Sequence, residues 1–151
     1  MMNANFKVQV EESTQKAHIK NVQNFRAHLS GDQEVPSVDT DATGQANFKL
    51  SKDGSSLQFK LIVANIQNVA AAHIHIGARG SNGPVAVTLY NGLIEGRTSG
   101  VLAEGMITSD MVTGYSLAEL VDIMLDGGAY VNVHTPQNPG GEIRGQISAN
   151  N

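Results

Sequence analysis

The sequence contains no cysteine, and this single absence excludes several kinds of site. Disulfide bonds, thiolate metal ligands and cysteine nucleophiles are all impossible. A bound metal would therefore need histidine, carboxylate or backbone oxygen as its ligands. Tryptophan is also missing and aromatic residues make up only 5% of the chain, so the core must be mainly aliphatic.

Long apolar runs and basic clusters are missing as well. No run approaches the roughly 20 residues that a membrane-spanning helix needs. The net charge is −4 and the lysines and arginines are scattered, which makes nucleic acid and anionic membranes poor partners. The opening MMNANFKVQV lacks the basic and then apolar pattern of a secretory signal peptide, so the compartment stays open.

What the chain does contain suits one folded domain. Its 151 residues are 40% hydrophobic, which is enough for a core. We predict this domain over residues 23–149. The polar segment over residues 1–22 is predicted to be an N-terminal extension: a linker, an extra strand, or an arm through which the chain forms a homo-oligomer.

Alternating apolar and polar residues dominate the predicted domain, as in FRAHL, QANFKL, SLQFKLIV, AAHIHI and AYVNVH. With FKVQVEE in the N-terminal extension, roughly nine such short segments are separated by glycine, asparagine and proline, the pattern of an all-β, antiparallel Greek-key sandwich or barrel. The segment YSLAELVDIMLDGG is the exception, because its apolar residues recur at helical spacing. With Ser116 and Glu119 as a capping box and Gly127 as the stop, it predicts one short helix near residues 116–126.

Two of the five histidines lie two residues apart in AAHIHIG. Successive side chains of a strand point to opposite faces, so His73 and His75 point outward together while Ile74 and Ile76 point inward. The same alternation directs His134 outward in YVNVHT. If the two strands are neighbours, the three imidazoles converge on one metal ion, and imidazole suits copper, zinc, nickel or iron(II). The alternative is three solvated histidines on an ordinary sheet surface.

Two further residues, His28 and Arg144, are candidates on the same face. His28 in FRAHL points outward and is a candidate fourth metal ligand. Arg144 in EIRGQI also points outward, and it has two alternative roles. It guides a small anion to the metal, as a catalytic residue, or it forms a structural salt bridge with Glu34 or Glu142, which we favour.

Three long segments carry a family resemblance: FRAHLSGDQEVPSVDTDATGQANFKLSKDG, AAHIHIGARGSNGPVAVTLY and AYVNVHTPQNPGGEIRGQI. Together they resemble the CHRD (chordin-type) domain over about residues 23–148. The resemblance implies a β-sandwich related to immunoglobulin-like, cupredoxin-like and copper/zinc superoxide dismutase-like folds. It also suggests an extracellular or cell-surface setting and a protein partner, because chordin is an extracellular protein that binds other proteins.

A more distant resemblance concerns the histidines. AAHIHIG and NVHT are similar to two histidine-bearing strands of copper/zinc superoxide dismutases, and His73, His75 and His134 then match copper ligands. The sequence has no counterpart of the bridging histidine, the zinc-site cluster or the disulfide cysteines of those enzymes. Arg144 also follows His134 much sooner than their active-site arginine does. The resemblance thus implies copper more strongly than it implies dismutation.

Three functional hypotheses follow. The first is a copper-binding β-sandwich whose three-histidine site is open to water, a small anion or a dioxygen species, with redox chemistry such as superoxide dismutation. The second is a protein-binding or adhesion module without catalysis, on which the histidines are incidental. The third is a three-histidine zinc site that activates water for hydrolysis or hydration.

Overall fold

The computed structural model of the protein describes residues 22–150. Apart from Val22, the predicted N-terminal extension therefore lies outside the described residues. The strands are β1 (Asn24–Ser30), β2 (Thr43–Leu50), β3 (Leu57–Ile76), β4 (Val85–Ile107), β5 (Ala129–Thr135), β6 (Asn138–Gln146) and β7 (Ser148–Ala149). The helix α1 covers Leu117–Leu125, and short 3₁₀ turns cover Gly31–Gln33 and Ser109–Met111.

The strands form one antiparallel sheet that closes on itself, which confirms the all-β prediction. The strand order is β2-β1-β6-β5-β3-β4, and β2 also pairs with β3. That additional pairing closes β1, β2, β3, β5 and β6 into a barrel. The edge strand β4 lies on the other side of β3, and β7 pairs with β1.

Two very long strands replace the series of short ones predicted over residues 57–107. β3 has 20 residues and β4 has 23, so the short segments predicted there form two continuous strands, and the described part of the chain has seven strands in all. The predicted strand segment FKVQVEE lies outside the described residues. In the first half of β3, residues 57–64 pair with β2, and in its second half, residues 71–76 pair with β5. Between these halves, Asn65 and Asn68 have positive φ and the register with β4 shifts, so the strand bends without ending.

The predicted helix is confirmed, with its predicted cap. The Ser116 hydroxyl accepts a hydrogen bond from the Glu119 amide at 3.1 Å, and the Glu119 carboxylate accepts one from the Ser116 amide at 2.8 Å. Both bonds satisfy amides that the first helical turn leaves without partners. Within residues 22–150, no helix is long and apolar enough to cross a membrane.

Alternation separates an apolar inner face from a polar outer face where β3, β5 and β6 lie side by side. On the inner face Ile74, Val131, Val133 and Ile143 are completely buried. The outer face carries cross-strand rows, in which side chains at paired positions are close neighbours. One row runs His73–Asn132–Arg144, the next runs His75–Tyr130–Gln146, and His134 pairs with Ala71.

The polar outer face is covered by loops and is not a solvated surface. Asn132, Tyr130 and Arg144 are at most 2% exposed. The loop between β3 and β4 lies over them, and its Ala78 carbonyl accepts a hydrogen bond from Arg144 at 3.0 Å. The segment between β1 and β2 covers the neighbouring area, where the Thr40 hydroxyl donates to Glu142 at 2.7 Å. These covering loops turn the outer face into a second, polar interior.

Candidate metal centre

Three histidines converge on the outer face of β3 and β5. One ring nitrogen from each of His73, His75 and His134 lies within 4.8 Å of the other two. The ring centroids are 4.9 Å apart for His73 and His134, 5.5 Å for His73 and His75, and 5.9 Å for His75 and His134. The pair on β3 and the pairing of β3 with β5 thus bring together the three histidines that the sequence singled out.

Two backbone carbonyls fix which nitrogens face the centre of this cluster. His75 Nδ1 lies 2.9 Å from the Gly83 carbonyl oxygen, and His134 Nδ1 lies 2.9 Å from the Pro139 carbonyl oxygen. A carbonyl oxygen only accepts hydrogen bonds, so both Nδ1 atoms must carry the proton. The Nε2 atoms of His75 and His134 then hold the lone pairs. Both atoms are buried and have no hydrogen-bond partner.

His73 presents its other nitrogen. Its Nδ1 is buried without a hydrogen-bond partner, so the converging donor set is His73 Nδ1, His75 Nε2 and His134 Nε2. Carbonyl contacts to the second ring nitrogen are the usual means by which proteins orient histidine ligands of metals. Three lone pairs that face one another are what a metal ion requires, and no described group of the chain satisfies them.

Burial keeps two of these imidazoles neutral. It lowers the pKa of His73 to about 4, with smaller contributions from the neighbouring His134 and His75. Burial also lowers the pKa of His75, although the hydrogen bond to Gly83 opposes this. Both rings are therefore unprotonated at neutral pH, the form that binds metal ions.

A stack of planar groups holds His75 in place. Its ring lies parallel to Tyr130 at 4.8 Å, and the Arg144 guanidinium carbon lies 3.5 Å from the centre of the same tyrosine ring. The Tyr130 hydroxyl accepts a hydrogen bond from the Gly83 amide at 3.2 Å. The loop residue Gly83 thus contacts both His75 and its stacking partner.

Arg144 is buried beside the centre, with only 1% of its surface exposed. It donates hydrogen bonds to the carbonyl of Ala78 at 3.0 Å and to the side-chain oxygens of Asn82 and Gln146, both at 3.3 Å. All three acceptors are uncharged. The charge of Arg144 nevertheless acts on Glu34, whose pKa it lowers against the larger opposing effect of burial.

Glu34 and Asn132 form a second group of incompletely partnered atoms beside the histidines. Glu34 is 6% exposed and Asn132 is 2% exposed, and Glu34 Oε2 and Asn132 Oδ1 have no hydrogen-bond partner. Burial raises the pKa of Glu34 to about 7, although the charge of Arg144 and hydrogen bonding from the Asn132 amide both lower it. The sequence placed Asn132 on this face but gave it no role.

Gly141 provides the space for this pair. Its φ of +123° is in the region that favours glycine. A Cβ at this position would collide with Glu34 Oε2 and would lie 2.6 Å from Asn132 Nδ2. A glycine is therefore required where β6 passes the two side chains.

His28 lies apart from the three converging histidines. It is exposed on β1, and β6 separates β1 from β5. It lines an open groove together with Arg26, Gln33 and Arg79. The converging set within the described residues consists of His73, His75 and His134 alone.

Comparison with models of protein families assigns most of the described chain to one family. Residues 25–147 match the family model of the CHRD domain, so the match covers every residue of the candidate centre. No curated protein matches the chain.

Proposed function

This chain belongs to the CHRD domain family, and from that premise we propose that it binds one copper ion through His73 Nδ1, His75 Nε2 and His134 Nε2. The observation that carries the proposal is the convergence of three buried nitrogen lone pairs without hydrogen-bond partners. When bound, copper supplies one-electron redox chemistry, of which superoxide dismutation is the reaction to assay first. The chain's own residues keep the imidazoles neutral and hold their orientation.

The cost of leaving the cluster empty argues against three incidental histidines. A buried polar atom without a partner costs about 1–3 kcal/mol. Incidental histidines on a sheet would rotate toward solvent or pair with one another. Here the carbonyls of Gly83 and Pro139 instead hold two rings with their lone pairs toward the third. One metal ion would satisfy all three atoms at once.

The donor set favours copper. Three imidazole nitrogens without thiolate suit copper, zinc, nickel and iron(II), and among divalent first-row ions a given site binds Cu²⁺ most tightly. The similarity of AAHIHIG and NVHT to the copper-binding strands of superoxide dismutases supports the same choice. Zinc is the alternative, since three histidines with an open position are also a zinc geometry that activates water.

Copper loading of untagged protein tests the proposal. We expect one copper per chain by elemental analysis and a Cu(II) EPR spectrum with nitrogen hyperfine structure. The double variant His73→Ala/His134→Ala should lose both, whereas the matched control His28→Ala should keep both. An unchanged spectrum in the double variant would eliminate this ligand set.

The same measurements separate the alternatives. A protein-binding module without a metal site predicts no stoichiometric metal in any variant. A zinc centre predicts stoichiometric zinc, and no copper, in protein purified from its native source. Copper that is bound without any change in the rate of superoxide decay would limit the proposal to copper binding.

A further inference from the structure

Five buried side-chain polar atoms in residues 22–150 have no hydrogen-bond partner, and they all belong to one neighbourhood. Three are the histidine nitrogens of the proposed centre, and the other two are Glu34 Oε2 and Asn132 Oδ1. Asn132 pairs with His73 across β3 and β5. Burial lowers the pKa of His75, and hydrogen bonding with the Asn132 side chain opposes this effect. Buried side-chain polar atoms elsewhere in the described chain have hydrogen-bond partners. We therefore assign the two oxygens and the three histidine nitrogens to one site.

We propose that Glu34 and Asn132 form the ligand-binding half of this centre, where their two oxygens accept hydrogen bonds from a small neutral ligand at the metal. The centre would then take water, or a neutral hydroxyl-bearing or hydroperoxide-bearing molecule, in preference to an anion, so the superoxide anion would be a disfavoured ligand. This inference rests on the proposed function, because the ligand needs the metal ion to hold it.

The chemistry of the two oxygens selects the class of ligand. An amide oxygen only accepts hydrogen bonds, and an ionised carboxylate also only accepts. An anion at the metal would add lone pairs opposite Asn132 Oδ1 and Glu34 Oε2, whereas a bound water or hydroxyl group has hydrogens to donate to them. The unpartnered oxygens therefore match a ligand that donates.

The cationic group beside the centre that could bind an anion already donates its hydrogen bonds within the chain. The Arg144 guanidinium donates to Ala78, Asn82 and Gln146 and lies over Tyr130. A site built for anions would instead present free N–H donors, as helix N-termini and arginine clusters do.

A purely structural role for Glu34 fits the contacts less well. A carboxylate that serves only to neutralise Arg144 would use its oxygens in that pairing, as buried ion pairs are stable only when all their hydrogen-bonding atoms are satisfied. Glu34 Oε2 has no such partner. Because Gly141 lacks the Cβ that would collide with this oxygen, the carboxylate can lie directly against the backbone of β6.

Azide binding to the Cu(II)-loaded protein tests the inference, because azide is an anion that must displace the neutral ligand. The titration is followed by the azide-to-copper charge-transfer band at about pH 8, where carboxylates are normally ionised. We expect Glu34→Gln, which offers an N–H donor in place of an acceptor, to tighten azide binding by about tenfold. Glu34→Met removes the charge without adding a donor, so its effect should be smaller.

Glu104→Gln is the matched control, since it removes the same charge from an exposed position on β4. Its azide affinity should equal that of the wild type. Equal tightening by Glu34→Gln and Glu34→Met would show that charge alone is responsible and would overturn the inference. Azide affinity unchanged in both variants, or loss of copper from Glu34→Gln, would also overturn it.

Wild-type protein supplies a second measurement that does not depend on how the variants fold. In heavy water, pulsed EPR of the Cu(II) form should show deuterons of a bound water, and these should persist in excess chloride. Their loss to chloride would overturn the inference while leaving copper binding intact. If elemental analysis instead finds no copper in the wild type, the proposed function fails together with this inference.

Discussion

Glu34 and Glu142 are buried to almost the same extent, at 6% and 5% exposed, in the polar interior beneath the covering loops, but their surroundings are opposite. Glu142 accepts hydrogen bonds from four side chains, at 2.7–3.1 Å: those of Thr40, Thr135, Gln137 and Asn138. Burial alone would raise the pKa of Glu142, but these bonds outweigh it and the pKa is lowered. Glu34 has an oxygen without a partner, and burial raises its pKa to about 7.

The difference separates a carboxylate that is fully hydrogen-bonded within the chain from the one that we propose binds a ligand. Glu142 joins the segment between β1 and β2 to the turn between β5 and β6, and its hydrogen bonds are complete within the chain. Glu34 lies in a group whose hydrogen bonds the chain itself does not complete, and in our proposal a bound ligand would complete them. Buried polar atoms are nearly always paired in folded proteins, so an unpaired group beside unpaired histidines supports the proposed binding site.

The largest effect should come from removing the complete network. Glu142→Ala leaves Thr40, Thr135 and their two amide neighbours without their acceptor. Because hydrogen bonds to charged groups contribute about 1.5–3 kcal/mol each and are not additive, we expect a loss of about 4 kcal/mol in the free energy of unfolding. Urea denaturation measures this loss, with Glu104→Ala as the exposed control. A loss no larger than that of the control would mean that Glu142 is not structural.

A smaller effect should come from filling the space beside Glu34. Gly141→Ala introduces a Cβ that collides with Glu34 Oε2 at a position where φ is +123°. We expect it to lower the free energy of unfolding by about 3 kcal/mol, from backbone strain and from displacement of the carboxylate. The adjacent Gly140→Ala is the matched control, since its Cβ would meet nothing within 4 Å. Equal costs for the two variants would place the strain in the turn and not at Glu34.

The smallest effect should come from neutralising Glu34, and its sign is the reverse. The folded-state pKa of Glu34 is raised by burial to about 7 from 4.5, so the metal-free protein should lose stability as pH rises through this range. Glu34→Gln lacks this loss. Its free energy of unfolding should exceed that of the wild type by at most about 3 kcal/mol at pH 8 and should equal it near pH 4.

Protonation of the histidines changes the free energy of unfolding in the opposite direction with pH. Its effect cancels when Glu34→Gln is compared with the wild type. Burial lowers the folded-state pKa of His73 from 6.5 to about 4, so stability is lost as pH falls through that range. This loss is common to the wild type and Glu34→Gln, and it cancels in their difference. Urea midpoints measured from pH 4 to pH 8 give the difference directly. A variant that is less stable than wild type at pH 8 would assign Glu34 a structural role.

Alternation was sufficient to assign side chains to faces of the sheet. It placed Ile74, Val131 and Ile143 in the core, and it put His73, His75 and His134 on one face. Period-two patterns report the face because backbone geometry dictates it. The capping box at Ser116 identified the helix in the same local way.

Features that depend on tertiary structure were not predictable. Asn65 and Asn68 bend β3 without ending it, and their positive φ has no signal in the sequence beyond the tolerance of asparagine for that conformation. Alternation also identifies a polar face without showing what covers it, so Arg144 was expected at the surface but lies buried. Glu34 belongs to a loop without periodicity, and only the fold brings it to Asn132.

The contacts that orient the histidines come from main-chain oxygens in two segments, the loop between β3 and β4 and the hairpin of β5 and β6. Gly83 and Pro139 act through carbonyls, which every amino acid possesses, and Ala78 binds Arg144 in the same way. Most side chains in these two segments can therefore vary among related sequences, whereas the lengths of the segments cannot. Among related sequences, the centre would be preserved where these segments have no insertions or deletions. A one-residue change in length would abolish the orientation of the imidazoles while all three histidines stayed in place.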